Sequence, residues 1–316
     1  MTTSPSRIGI MVCTAGRPQM LVRCLRSLIA QPIQTGWSVE ICVVENDTEP
    51  RSLPAIEALQ VETQIPIHHV LEPKRGIPFA RNRSLREAKH HGFDWIALID
   101  DDEVADEAWL GSHMASVTRH SADVSYGAVT KDYEAPQPDW WPRDTGSSDP
   151  DGTVLSRAST NNVLFSRELI SGSAPLRFDE DLRHGYEDLD FFERASGRGH
   201  KIVWTPAASV EETVSANRVR PERLIQMVHS QAAAHAQVAC KRSGFARACL
   251  KFGLKGLRRI VGGSLLSGFH WLAWKVGNEN AQGRYFRARL RLARGAGNWY
   301  GLTRGQKGFY DQLDGH

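Results

Sequence analysis

The run Ile99-Asp100-Asp101-Asp102-Glu103 sets four consecutive carboxylates at the end of a short apolar stretch. Without a cation or hydrogen bonds, such anions repel one another. A hard divalent ion, Mn²⁺ or Mg²⁺, takes oxygen ligands and also binds a diphosphate. In extended backbone Asp100 and Asp102 project to the same side, so one suits a ribose hydroxyl and the other a metal. The competing reading is a helix cap with acidic first-turn residues ahead of Trp109-Leu110. A second acidic pair, Glu187-Asp188, stands before Leu189, Phe192 and Ala195, at the start of a predicted helix. It reads either as a cap or as a general base that takes a proton from an acceptor hydroxyl. Third, the run from Lys74 to Arg83 gathers Lys74, Arg75, Arg81 and Arg83 where a helix begins. That arrangement suits a diphosphate, with a solvated basic face as the alternative.

These groups need elements to position them. Apolar runs at 8–13, 39–44, 67–70 and 95–99 read as strands, and helical spacing appears at 18–29, up to residue 59, and at 79–91. Alternating strands and helices predict an α/β fold with a doubly wound, Rossmann-like, mainly parallel sheet. Ligands bind beyond the carboxyl ends of such strands, so the polar turns after strands one, two and four should converge on one pocket. A strand near 124–130 is followed by an irregular stretch at 132–156 with four prolines and Trp140-Trp141, a lid or an insert. Structure resumes at 160–165, followed by a helix at 187–197 and a strand at 201–204.

Composition bounds the rest. The chain has 316 residues, 41% hydrophobic and 24% charged, enough to bury a full core. None of the five cysteines falls in a CxxC pair, and the N-terminal apolar run is too short for a signal-peptide core, so a cytoplasmic protein is expected. Charge is uneven: residues 241–307 hold 15 Lys and Arg against one acid, Glu279, while the remainder holds 24 basic and 35 acidic residues. The chain therefore divides into a body, 1–240, and a basic, mostly helical region, 241–316. An anionic partner suits that region. Residues 260–274 are uncharged, but a spanning helix needs about 20 residues, so a surface-lying segment on an anionic membrane fits better. No nucleic-acid-binding motif is present, and packing of the basic region on the acidic body is the remaining alternative.

Taken in order, the segments Cys13-Thr14-Ala15-Gly16-Arg17-Pro18, Val43-Val44-Glu45-Asn46-Asp47-Thr48, Arg75 to Asn82, Asp100 to Asp102 and Glu187-Asp188 resemble the inverting glycosyltransferase family 2, with its GT-A fold. The likeness is greatest to bacterial exopolysaccharide glucosyltransferases of the succinoglycan type. It extends through Asn162-Val163, Glu187 to Phe192, Val203-Trp204 and Val210 to Glu212, and covers roughly residues 7–240.

The resemblance implies a UDP-sugar donor, with glucose as the sugar, and a saccharide acceptor on a polyprenyl diphosphate at the inner face of the cytoplasmic membrane. It assigns the donor to Thr14, Arg17, Glu45 or Asp47, Arg75, Arg81, Asp100, Asp101 and Asn162; Trp109 is a stacking surface or, as is more common for such a residue, core. It assigns the metal to Asp102, and to Glu212 where many relatives carry a His. Asp188 is the implied base, with Glu187 beside it. A sugar nucleotidyltransferase is the alternative enzyme, but its Gly-rich triphosphate loop is missing. A non-catalytic scaffold would not need Asp100, Asp102, Glu187 and Asp188 together.

Overall fold

The structure is a computed structural model that describes residues 5–142, 146–183 and 185–303. Strand β1 (Ser6–Thr14) lies between β2 (Trp37–Glu45) and β4 (Trp95–Asp100), and β3 (Ile67–Leu71) pairs with β2, all parallel. Because β1 is covered on both faces, it reads as a continuous apolar run. Ile8, Ile10 and Val12 join a core with α1 (Pro18–Ile29), α2 (Leu53–Gln60) and α4 (Trp109–His120). Met11 joins the opposite core with α3 (Ile77–His90) and α5 (Glu187–Gly197). Helix α1 starts on Pro18 and buries Leu21, Cys24, Leu25 and Leu28, the spacing of one helical face.

The second half of the sheet is mixed. Its order continues from β4 through β8 (Asn162–Ser166), β6 (Val124–Tyr133) and β9 (Ile202–Val214) to β5 (Glu103–Ala105). Strand β8 runs antiparallel to both β4 and β6, whereas β6 and β9 are parallel. The expected strand at 201–204 thus continues ten residues further, to Val214. A bulge makes this possible: Gly127 faces Thr205 and Ala128 faces Ser209, so three residues of β9 loop out. The stretch at 132–156 is not wholly irregular, since β6 runs to Tyr133 and β7 (Val154–Leu155) pairs with β9. Trp140 stacks on Phe286 with ring centroids 4.7 Å apart, which pins this segment to the C-terminal region.

That region is helical: α6 (Pro221–Ser243), α7 (Phe245–Ala248), α8 (Leu254–Lys275) and α9 (Asn280–Thr303). Residue 240 falls inside α6, so one unbroken helix crosses the division expected there. Helix α9 packs along α6 through Gly297 and Gly301, where a Cβ would lie 2.2 and 2.1 Å from carbonyl oxygens of α6.

At Gly127 only a hydrogen fits, because a Cβ would lie 2.1 Å from the Ala208 carbonyl oxygen and 2.4 Å from the Asn162 amide nitrogen. Gly127→Ala should therefore destabilise by about 3 kcal/mol or more, read as a drop of several degrees in thermal melting. Gly111→Ala, in α4 with only an ordinary 3.7 Å contact, should match or slightly exceed the parent chain in the same assay.

Candidate active site

The carboxyl ends of β1 and β4 lie side by side, with Cys13 opposite Asp100. The Asp100–Glu103 turn leaves the sheet there, and its charges are held from below. Thr14 donates its hydroxyl to Asp101 Oδ2 at 2.6 Å. Arg17 spans two carboxylates, reaching Asp101 at 2.6 Å and Asp102 at 3.1 Å. Such forked pairs fix geometry as well as charge. Asp101 is fully buried, so it anchors Arg17 and does not face a ligand. Glu103 accepts the Asp100 backbone N–H at 3.0 Å and the Asn161 amide at 3.1 Å. Burial, with Asp100 close by, pushes the Glu103 carboxyl well above its usual range. It braces the turn from below and leaves Asp100 at its surface, the Asp100 side chain 39% exposed.

On the other side of Asp102, β9 delivers Glu212, paired with Glu103 in the ladder. A short 3-10 turn after β9, Ala216–Val219, carries Arg218 back over the strand. Its guanidinium lies 2.9 Å from Asp102 and 2.9 Å from Glu212, bridging the two expected metal ligands. Burial and the charge of Asp102 raise the Glu212 carboxyl. Paired hard-oxygen donors that need a positive charge between them suit a divalent cation chemically. Arg218 meets that need here, with its side chain 46% exposed. Among the described residues no third His, Cys, Asp or Glu completes a ligand triad at this edge.

A third ion network joins two helices to the turn. Arg81, in the second turn of α3, pairs tightly with Glu187 and lies 3.7 Å from Asp100. Glu187 is 2% exposed, and burial pushes its carboxyl up to about 7 against the opposing pull of Arg81. The next residue differs. Asp188 is half-buried, and one of its oxygens accepts the N–H of Leu189 at 2.7 Å. Its other oxygen takes no hydrogen bond among the described residues. Gly185 (φ 108°) and Tyr186 (φ 75°) make the left-handed turn that opens α5 and separates these environments. The anchored and free carboxylates are therefore Glu187 and Asp188 respectively.

The acidic turn after β2 divides its work among its residues. Glu45 is buried and accepts the Ser52 N–H at 2.9 Å and its hydroxyl at 2.8 Å, and it also pairs with His69 at 2.8 Å. It is committed to holding α2, whereas Asp47 makes no hydrogen bond to that helix's Ser52. The Thr48 N–H lowers the Asp47 pKa, helped by Arg51, and Arg75 lies 3.9 Å away. Asn46 carries no strong signal in its sequence context, yet it ties the turn after β2 to the loop that leads from β3 to α3. Its amide donates to the Glu72 and Lys74 carbonyls at 2.8 Å, and its oxygen accepts the Gly76 N–H at 2.8 Å.

Two further candidates for sugar contact lie in the core. Asn162 is fully buried and has no free polar atom for a sugar. Its amide donates to the Ala128 and Ala208 carbonyls at 2.7 and 2.8 Å. Its oxygen meets Trp109 Nε1 at 2.7 Å and His113 Nε2 at 2.9 Å. It clamps the β9 bulge and α4 to the sheet. Trp109 is equally buried and acts as core, not as a stacking platform.

A mainly parallel sheet, covered on both faces by helices and carrying its acidic turn at the carboxyl edge, is the GT-A architecture. The chain belongs to glycosyl transferase family 2, whose model matches residues 9–173. Over 266 residues it is 28% identical to the succinoglycan biosynthesis protein ExoM of Rhizobium meliloti (strain 1021), spanning 82% of this chain and 83% of that one. The S. aureus TarS fragment 1-349, solved with UDP-GlcNAc, has a TM-score of 0.52 at 16% identity and covers 98% of this chain and 95% of its own. GalNAc-T7, solved with UDP, GalNAc and Mn²⁺, scores 0.51 at 12% identity, covering 76% of this chain and 51% of that one. At such identities the two solved structures share the fold.

Glu187 generates a pH dependence with a definite sign. Below its ordinary value of 4.5 the folded and unfolded chains both hold the proton; between there and about 7 only the folded chain does. Its contribution to stability is therefore lost as pH rises through that window. In urea denaturation, Glu187→Gln should show a fall in stability from pH 5 to pH 8 that is smaller than the parent's by on the order of 2 kcal/mol.

Proposed function

We propose that this glycosyltransferase moves a sugar from a UDP-sugar to a hydroxyl of a saccharide acceptor in a single displacement that inverts the anomeric centre. The reading is supported most by Asp188, a carboxylate with one oxygen that takes no hydrogen bond among the described residues, while its neighbour Glu187 is tied to Arg81. Asp188 accepts the acceptor's proton as the acceptor oxygen forms its bond to the anomeric carbon. The bond from that carbon to the diphosphate breaks, and its electron pair stays on the leaving phosphate oxygen. In this reading Arg81 and Arg75 stabilise the charge that develops on the diphosphate, through charge-assisted hydrogen bonds that strengthen as the bond breaks. Asp47 binds the nucleoside, and Asp100 binds the ribose or sugar hydroxyls.

Asp102 and Glu212 would hold Mn²⁺ or Mg²⁺ once Arg218 turns aside, and the ion would supply Lewis-acid stabilisation of the diphosphate. Kinship to the succinoglycan biosynthesis protein ExoM supports bacterial exopolysaccharide assembly as the setting. Glucose as donor sugar and a polyprenyl-diphosphate-linked acceptor at the cytoplasmic face of the membrane rest on the resemblance of the sequence motifs alone. All five cysteines are free, as suits a reducing compartment.

Asp188→Asn tests the assignment. Transfer from the productive UDP-sugar should fall by about 100-fold or more, while UDP binds as it does to the parent chain. Near-normal transfer by this variant would remove Asp188 as the base.

A further inference from the structure

The sheet and its acids account for the body of the chain and leave α8 unexplained. Two of its glycines, Gly256 and Gly263, form a seam against α9: a Cβ at Gly263 would lie 2.8 Å from the Leu292 backbone. Gly295 of α9 meets Ile260 from the other side. That seam fixes which face of α8 points inward.

The outward face carries Leu254, Leu257, Val261, Leu265, Phe269 and Leu272, each between 51% and 71% exposed. Their spacings of three and four residues confine them to a single stripe about 27 Å long. A stripe of this size on a water-soluble surface marks an interaction site. Lys251, Lys255 and Arg258 are exposed at its N-terminal end. No Asp or Glu occurs from 241 to 278. Arg259 has Arg258, Arg291 and Arg294 around it, and burial with this like-charge crowding lowers its pKa.

The acidic body neutralises only the start of the region. Lys241 pairs with Asp179 at 2.6 Å and Asp181 at 2.8 Å, and Arg242 pairs with Asp190 at 2.7 Å. Among the described residues, the cations from Arg247 to Arg294 form no ion pair with an acid. No helix is long and apolar enough to cross a membrane.

We infer that α8 lies flat on an anionic lipid bilayer, with the Leu254–Leu272 stripe in the acyl boundary and Lys251, Lys255 and Arg258 among the headgroups. An apolar stripe beside cations and without acids complements a surface that is apolar inside and negative at its rim. A second copy of the chain would answer the stripe but bring only more cations to this face. The inference does not depend on which sugar or acceptor the catalytic edge uses, since bilayer binding is read without catalysis.

Flotation of the full chain with lipid vesicles tests it. The parent chain should float with vesicles of phosphatidylcholine and phosphatidylglycerol and remain largely below vesicles of phosphatidylcholine alone. The triple variant Leu257→Glu/Leu265→Glu/Leu272→Glu should lose roughly tenfold or more of the bound fraction. Lys251→Glu/Lys255→Glu/Arg258→Glu should lose a similar share, and its residual binding should be less sensitive to salt. Unchanged circular dichroism and melting would show that the variants fold. A parent chain that stays soluble with the anionic vesicles, or an apolar-stripe variant that floats as well as the parent, would overturn the inference. So would a parent dimer that fails to float and becomes monomeric in the stripe variant, because a second copy would then be the occupant.

Discussion

Charge balance at the carboxyl edge of the sheet constrains everything else in the site. Asp100, Asp101, Asp102, Glu187, Asp188 and Glu212 are drawn to one edge by three separate segments of chain, and like charges in partly buried positions do not stay together unaided. Three guanidiniums resolve the conflict. Arg17 holds Asp101 and Asp102, Arg218 bridges Asp102 and Glu212, and Arg81 joins Glu187 to Asp100. Glu103, whose pKa burial beside Asp100 raises, braces the turn by accepting the Asp100 N–H and the Asn161 amide. Among the described residues, Asp100, partly exposed on the turn, and Asp188, with one oxygen that takes no hydrogen bond, are the least committed of these carboxylates. A preorganised set of fixed charges suits a reaction in which negative charge moves onto a diphosphate.

The fold supplies this edge through its topology. Parallel β1, β2 and β4 bring three polar turns to one end, and antiparallel β8 lets the chain cross to β6 and β9, which return Glu212 to the same edge. The bulge in β9 is what aligns its second half with β5, and Asn162 holds that bulge by donating to the Ala208 carbonyl. A residue remote from any ligand therefore helps to set where Glu212 stands. Helices α6 and α9 form the other support, pinned to the acidic body at Lys241 and Arg242 while α8 faces outward.

Much of this was legible in the residues. Continuous apolar runs located the central strands to within a residue or two, because buried parallel strands carry little else. Helix α5 starts at Glu187, as its acidic pair and apolar spacing indicate. What could not be read was whatever depended on distant partners. Asn162 looks like a ligand contact beside a strand, and only its four neighbours from α4, β6 and β9 reveal a clamp. Glu45 occupies the place of a nucleoside contact, but Ser52 and His69 claim its oxygens. Arg218 carries no local signal, since its role follows from a turn that folds back over β9. The continuation of β9 past Trp204 was hidden by Pro206, which reads as a strand end and instead sits in the bulge.

The central claim is that this network of arginines and carboxylates is a binding site for a nucleoside diphosphate. Calorimetric titration of UDP, with Mn²⁺ present, into the parent chain and into Arg17→Ala and Asp102→Asn tests it most directly. The account expects saturable binding to the parent and at least about tenfold weaker binding to both variants, since each removes a charged partner at the edge. Failure of UDP to bind the parent chain, or equal binding to folded forms of all three, would contradict it.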